Sequence, residues 1–327
     1  MEVSTIDSIP VVDFEAYRLE KECPDSEKLQ KLVDEIHHAF TTIGFVYLKN
    51  TGFPAYVIQD AFEKSKVFFT LEAKEKVKHL RGHIIPGSNF GYVQTEQEGL
   101  NPERTHMDLK EFYNFLPDRV EEVMSELKET PPASDLIEAL HIFFDHGKTL
   151  HHRVLEIMAR GLKLDDPYLF TKKHQYFGMK AGIGTVRTTY YPPVKSAKAE
   201  GDQVRCGEHS DYGGITLLVQ DSPGLEVCNV KGQWIQAPPI EGTILVNIGD
   251  LMQRWTSDKF IACKHRVLLP VSEEDRASSR QSITLFGHPD RDEIIECVDG
   301  SQKYPPVGSR EYLDMRFSAT YSREVQK

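Results

Sequence analysis

From Gly178 onward the sequence breaks into short β-rich runs separated by turn residues, and this punctuation constrains the fold more than any other feature. The runs are Thr185–Tyr191, Gly214–Gln220, Leu225–Asn229, Trp234–Ala237, Thr243–Ile248, Ala262–Leu269 and Gln281–Phe286, with turn signals such as Ser222-Pro223-Gly224, Lys231-Gly232, Glu241-Gly242 and Gly249-Asp250 between them. Strands this short and this regularly spaced predict a sandwich or jelly-roll barrel; a parallel sheet would need a helical stretch inside each crossover. The first half reads differently. A strand at Ile9–Phe14 precedes a helix capped by Asp25 and Ser26, with Leu29, Leu32, Val33, Ile36 and Phe40 on its apolar face. Gly44 leads into a strand at Phe45–Leu48, and Pro54 opens a second helix that buries Val57, Ala61 and Phe68-Phe69. A longer helix is expected over Ser134–Leu162, interrupted near Gly147. No repeat, low-complexity stretch or linker divides the chain, so residues 1–327 read as one domain that is mainly β with flanking helices.

Charge and cysteine usage narrow the partners and the compartment. The 327 residues carry 39 Lys and Arg against 50 Asp and Glu, a net charge of −11 with no basic patch, which disfavours a nucleic-acid or anionic-membrane surface. The longest apolar runs, such as Ile215–Val219, are too short to cross a bilayer. Met1–Pro10 lacks the basic and apolar regions of a secretory leader. The five cysteines (Cys23, Cys206, Cys228, Cys263 and Cys297) are odd in number, scattered and never in a C-x-x-C pair. Together these features predict a reduced, cytoplasmic protein. No coiled-coil pattern or long apolar edge is evident, so a monomer is expected.

Thirteen histidines occur, and spacing selects among them. His209 and Asp211 stand at i and i+2, which on or at the end of a strand puts both side chains on one face. His265 lies in the later run Ala262–Leu269. If the strands pair as a barrel, it can complete a two-histidine, one-carboxylate facial triad, the donor set of non-haem Fe(II), which leaves three positions open on the metal. Arg280 and Ser282 alternate onto one side of the run Gln281–Phe286, where a guanidinium and a hydroxyl can clamp a carboxylate. Tyr191 can add a phenol from a neighbouring strand. A metal triad and a carboxylate clamp together describe a site for a 2-oxo diacid.

The segments around these residues, Ile9–Phe14, Ala39–Phe53, Asp108–Phe115, Tyr190–Pro193, His209–Gln220, Val246–Thr256, His265–Val267 and Arg280–Pro289, resemble, in order, those of 2-oxoglutarate- and Fe(II)-dependent dioxygenases of the isopenicillin N synthase-like family. The resemblance implies a double-stranded β-helix, or jelly-roll, core. It implies a mainly helical N-terminal part at 1–177, the jelly-roll core at 178–295 and a C-terminal tail at 296–327. It assigns His209, Asp211 and His265 to iron and catalysis, and Arg280 and Ser282, with Tyr191, to the distal carboxylate of the cosubstrate 2-oxoglutarate. The implied reaction consumes O2, releases succinate and CO2, and hydroxylates, desaturates or cyclises a small molecule at a C–H bond. Two departures from many plant members stand out: Thr189 replaces an Asn two residues before Tyr191, and Glu273–Ser279 is a polar insertion. Relatives that work without 2-oxoglutarate keep an Arg-x-Ser, so an Fe(II) oxidase of the same fold is the alternative.

Other features have plainer readings. His37-His38, His151-His152 and the His141–Asp145 pair suit helix surfaces and hydrogen bonding, and Cys206 and Cys263 suit small buried thiols. Neither H-E-x-x-H nor G-x-S-x-G occurs, which argues against zinc peptidase and serine hydrolase chemistry. The alternation that turns Ser282 inward also turns Thr284, Phe286 and His288 inward, making Phe286 and His288 candidate substrate contacts. The segment Arg81–Tyr92 resembles the place where relatives supply substrate-facing residues, so Arg81, His83 and Tyr92 join them. A cation there would favour an amino acid or another carboxylate as substrate.

Overall fold

In the computed structural model, which describes residues 8–101, 103–127, 130–194 and 203–321, β-strands from both halves of the chain build one large sheet. The strands of this sheet and of a second one facing it are β1 (Val11–Asp13), β2 (Phe45–Lys49), β3 (Gly91–Val93), β4 (Glu111–Phe115), β5 (Ile183–Tyr191), β6 (Cys206–His209), β7 (Ile215–Gln220), β8 (Leu225–Cys228), β9 (Trp234–Gln236), β10 (Thr243–Ile248), β11 (His265–Val267) and β12 (Arg280–His288); a short separate pair joins Ile294–Ile295 to Val307–Gly308. Eight of them form a sheet in the order β1-β2-β10-β7-β12-β5-β4-β3, and four form a second sheet in the order β6-β11-β8-β9. Sequential strands β5 to β8 alternate between the two sheets, which is the winding of a jelly roll.

Strand alternation decides where the site lies. On β12, Ile283 and Leu285 face the helices and are fully buried. The alternate residues Arg280, Ser282, Thr284 and Phe286 line a cavity between the sheets. Both faces of this central strand are therefore covered, one by apolar packing and one by polar function. The helical layer is α1 (Ser26–Thr42), α2 (Ala55–Phe69) and a long helix at Pro131–Gly161. Its Leu32, Ile36, Phe40, Phe68, Leu140, Phe143 and Leu155 join Val186, Leu217, Val246 and Leu285 in one apolar core. A smaller core between the sheets contains Phe45, Tyr47, Leu225, Val227, Leu245 and Val267.

Several expectations change. The long helix runs through Gly147 without interruption. A Cβ at Gly147 would stand 2.7 Å from Leu285 Cδ2, so the glycine permits close approach to β12 rather than breaking the helix. The run Ala262–Leu269 pairs only over His265–Val267. Strands β3, β4 and β6 have no counterpart in the sequence reading, since Gly91–Val93 is only three residues long and Glu111–Phe115 and Cys206–His209 mix polar with apolar residues and do not alternate cleanly. The polar insertion folds into a single turn at Glu273–Arg276, capped by the Ser272 hydroxyl accepting from Asp275 N–H. The segment 296–327 contains a helix at Ser309–Tyr321.

Candidate active site

His209 ends β6 and His265 begins β11, and the two residues are directly paired across these antiparallel strands. Their rings stand 4.3 Å apart, centroid to centroid. Asp211 follows two residues past His209, in the loop before β7. Its Oδ1 is 3.9 Å from His209 Nε2 and 3.7 Å from His265 Nε2. Among the described residues, this is the one group whose ligand atoms, all within 4.8 Å of one another, could hold a metal ion.

The remaining atoms of the triad are tied elsewhere. His209 Nδ1 donates to the Gly207 carbonyl at 2.8 Å, and His265 Nδ1 to that of Cys263 at 3.3 Å. With the proton on Nδ1, each Nε2 lone pair points at the shared centre. Asp211 Oδ2 accepts from Thr216 Oγ1 and from Asn247 Nδ2, both at 2.7 Å, which leaves Oδ1 as the ligand atom. Burial pushes the His265 imidazole down to about 4, reinforced by the neighbouring His209, and burial also lowers His209. Both rings are thus neutral at pH 7, as ligation requires. Burial alone would raise the Asp211 carboxyl, but His265, His209 and the two hydrogen bonds outweigh it and keep the group ionised.

On the other side of the cavity, Arg280 is 1% exposed. Its Nε donates to Ser222 O at 3.1 Å and its Nη2 to Gln220 Oε1 at 2.5 Å, and it lies 4.8 Å from the centre of the Tyr191 ring. Nη1 is buried without a protein partner. A buried, unpaired N–H on a guanidinium is costly unless a ligand meets it. Ser282 and Tyr191 line the same cavity, and the Tyr191 phenol contacts the Ser282 hydroxyl. The residues present therefore fit both groups: a convergent imidazole–carboxylate donor set for Fe(II), and a cationic donor beyond it for a dicarboxylate.

The substrate side is assembled from distant segments. A cavity of about 80 Å³ beside the triad is lined by Asn89, Glu98, Arg187, Tyr212, Phe286 and His288, with Leu313 and Phe317 of the C-terminal helix. It shares Arg187, His209, Asp211 and Phe286 with the cavity that holds Arg280 and Ser282, so the two adjoin. Arg187 lies 3.8 Å over the Phe112 ring, donates to Asn114 Oδ1 at 2.8 Å and faces Glu98 at 3.3 Å. Outside, a groove of about 590 Å³ is reached past Asn89, Thr185, His288 and Phe317.

Phe286 and His288 thus face the cavity, while the three residues from Arg81–Tyr92 do not reach it. Tyr92 is buried and donates to Glu111, its ring packed against Phe68 and Phe69, because β3 turns that side chain into the aromatic core. His83 is exposed on the preceding loop. Arg81 lines only the outer groove. Arg187, Glu98, Asn89, Tyr212, Leu313 and Phe317 escape the sequence reading. Arg187 is within its reach, since the alternation applied to β12 also carries Tyr191 to Thr189 and Arg187 on β5. Nothing local marks Glu98 or Phe317.

Comparison with known proteins agrees with this chemistry. Residues 183–289 match the 2OG-Fe(II) oxygenase superfamily, and residues 9–133 match the N-terminal region of non-haem dioxygenases described from morphine synthesis. The chain is 32% identical to the 2-oxoglutarate-Fe(II) type oxidoreductase ppzC of Metarhizium majus, over 86% of this chain and 80% of that one. It is 31% identical to the proline hydroxylase buaE of Petromyces alliaceus, over 82% and 85%. The crystal structure of a full-length Neurospora crassa protein in complex with alpha-KG and thymine superposes with a TM-score of 0.79, at 32% identity over 98% of this chain and 99% of that one. Jelly-roll core, donor set and relatives agree on one chemistry, with Fe(II), 2-oxoglutarate and O2 as its reagents and a small molecule as its substrate: this chain belongs to the 2-oxoglutarate- and Fe(II)-dependent oxygenases.

Proposed function

We propose that His209, Asp211 and His265 hold the iron and that Arg280 and Ser282, flanked by Tyr191, hold the distal carboxylate of 2-oxoglutarate. The observation that carries this reading is a pair of complementary ends in one cavity: two Nε2 atoms and Asp211 Oδ1 converging at one, and the unpartnered Arg280 Nη1 at the other. Bound there, Fe(II) and 2-oxoglutarate supply with O2 the oxidising power that cleaves a substrate C–H bond, with release of succinate and CO2. The protein's own part is placement. Thr216 and Asn247 orient Asp211, backbone carbonyls fix the tautomer of each histidine, and the apolar wall around Phe286, Leu313 and Phe317 limits water.

For the substrate, we infer a small molecule with no net charge that presents a hydrogen-bond acceptor to Arg187 and a flat or apolar body to Phe286. The charge of Arg187 is already met by Glu98, so the wall offers directional donors rather than an uncompensated cation. A zwitterionic amino acid and a neutral cyclic amide both satisfy this. The proline hydroxylase and the thymine-bound Neurospora protein among the relatives lend support to each. The cytoplasmic reading rests on the scattered cysteines, all five free. Among the described residues no helix is long and apolar enough to cross a membrane.

The test has two stages. Anaerobic titration of the Fe(II)-loaded protein with 2-oxoglutarate should produce the visible charge-transfer band of the chelate. Arg280→Ala should weaken 2-oxoglutarate binding roughly a hundredfold or more while iron still binds, since each hydrogen bond to a charged group is worth about 1.5–3 kcal/mol and the clamp can make two. Succinate release is then screened with L-proline, other amino acids and thymine. Failure of Arg280→Ala to alter the titration removes the clamp assignment; stimulation only by anionic acids removes the substrate reading.

A further inference from the structure

A buried ionic cluster lies between the iron end and the substrate wall, and none of the roles above uses its central residue. Lys110 precedes β4 and its side chain is 3% exposed. Its ammonium stands 2.9 Å from Glu98 Oε2 and 2.9 Å from Asp108 Oδ2, and it donates to Cys206 Sγ at 3.3 Å. An ammonium has three N–H donors, and these contacts account for all three. Lys110 lines the cosubstrate cavity, yet its donors are committed to protein.

Each carboxylate passes the contact on. Asp108 Oδ1 accepts the Gly207 N–H at 2.9 Å, and the Gly207 carbonyl accepts His209 Nδ1 at 2.8 Å. Glu98 faces Arg187 at 3.3 Å on the substrate wall. The cluster holds two cations and two anions, with the Glu98 and Asp108 side chains 3% and 2% exposed. Without Lys110, Asp108 would lose its 2.9 Å ion pair at a place almost out of reach of water, and a buried charge deprived of its partner is expelled from its position.

We propose that Lys110 is a positioning residue for the oxygenase reaction: its ion pair holds Asp108 in place beneath Gly207, and so holds His209 in its ligating orientation, while it keeps Glu98 set against Arg187. The inference rests on the assignment of His209 to the metal. Charge balance, rather than side-chain bulk, is the property that matters, and this separates positioning from packing.

The experiment measures Co(II) binding to the full chain by its visible absorption, with folding followed by circular dichroism. Lys110→Met should weaken Co(II) about tenfold, the scale expected when a group behind a metal ligand is lost. The double variant Lys110→Met/Asp108→Asn restores charge balance and keeps an amide oxygen for the Gly207 N–H, so its affinity should return to within about threefold of the parent, well inside that same scale. Unchanged affinity in Lys110→Met overturns the proposal, as does a double variant that binds as weakly as the single one. If Lys110→Met does not fold, the double variant decides: folding with near-parental Co(II) binding supports the charge argument, and failure to fold overturns it. His265→Ala in the parent is the control. Retention of Co(II) there would overturn the ligand assignment, and is distinguishable from failure of the Lys110 proposal.

Discussion

The proposed iron end and the proposed substrate wall are built in different ways. The iron end uses two histidines on directly paired strands and a carboxylate two residues beyond one of them, and each non-ligating polar atom of the three already has a protein partner. The substrate wall takes Asn89, Glu98, Arg187, Tyr212, Phe286 and Phe317 from separate segments, the last from a helix near the C-terminus. One end is a local arrangement imposed by strand register. The other is a convergence of two strands, separate loops and a helix, most of whose residues can vary without touching the metal ligands. The difference teaches how one scaffold can keep its oxidising chemistry while its substrate changes.

The largest expected effect breaks the iron end. His265→Ala should abolish stoichiometric Fe(II) binding, and with it 2-oxoglutarate-dependent succinate release, while the fold persists by circular dichroism. Persistence of iron binding would mean that the paired histidines are not the metal end at all. Next, Arg187→Leu should raise substrate KM roughly ten- to a hundredfold, the worth of about 1.5–3 kcal/mol for a hydrogen bond to a charged group, with the Fe(II)·2-oxoglutarate band retained because the Lys110–Asp108 pair behind His209 stays intact. Loss of the band in that variant would show that the two regions are not separable.

A pH titration of stability sharpens the comparison further. Burial holds His174 at about 3 and His265 and His288 at about 4 in the folded metal-free protein. In the unfolded chain each returns to about 6.5. The unfolded state therefore binds more protons between these values, so stability should fall as pH drops below about 6.5 and level off only between about 4 and 3, by roughly 1.4 kcal/mol per pH unit for each such group. Urea unfolding of the apoprotein at pH 7, 6 and 5 checks the sign. Saturating Fe(II) should raise stability throughout yet leave the slope between about 6.5 and 4 in place, because metal-bound His265 stays unprotonated there just as it does in the folded apoprotein.

The smallest effect concerns Tyr92. Tyr92→Phe should leave substrate KM unchanged and cost about 1 kcal/mol of stability, the net value of one lost hydrogen bond, because Glu111 keeps its 2.7 Å bond from Lys76. A large change in KM would return β3 to the substrate wall.

How much is legible in the sequence follows from the range of the signals. Period-2 alternation and turn residues place β5 and β7 to β10 and turn Arg280, Ser282, Phe286 and His288 inward, since a strand's faces are determined within a few residues. Strand β3 escapes because three residues are too few to show a period, and β4 and β6 because polar residues in or beside them, such as Glu111, Lys110 and Glu208, interrupt the pattern. Two of those, Lys110 and Glu111, are buried only because partners reach them from elsewhere: Glu98 and Asp108 for the first, Lys76 and Tyr92 for the second. Gly147 reads locally as a helix breaker, and only the packing of Leu285 against it explains its place inside a continuous helix.

By itself the sequence determined the chemistry of the cavity: the donor types of the triad, their short spacing at His209 and Asp211, and the inward face of the strand that carries Arg280 and Ser282. Those properties are local, encoded in residue type and strand period. Tertiary structure alone decided that His265 lies opposite His209, that Arg187 meets Glu98, that Tyr92 points into the aromatic core, and that Phe317 closes over the substrate cavity. Such contacts join residues far apart along the chain, and their energy depends on strand register and loop path, which no short stretch of sequence contains.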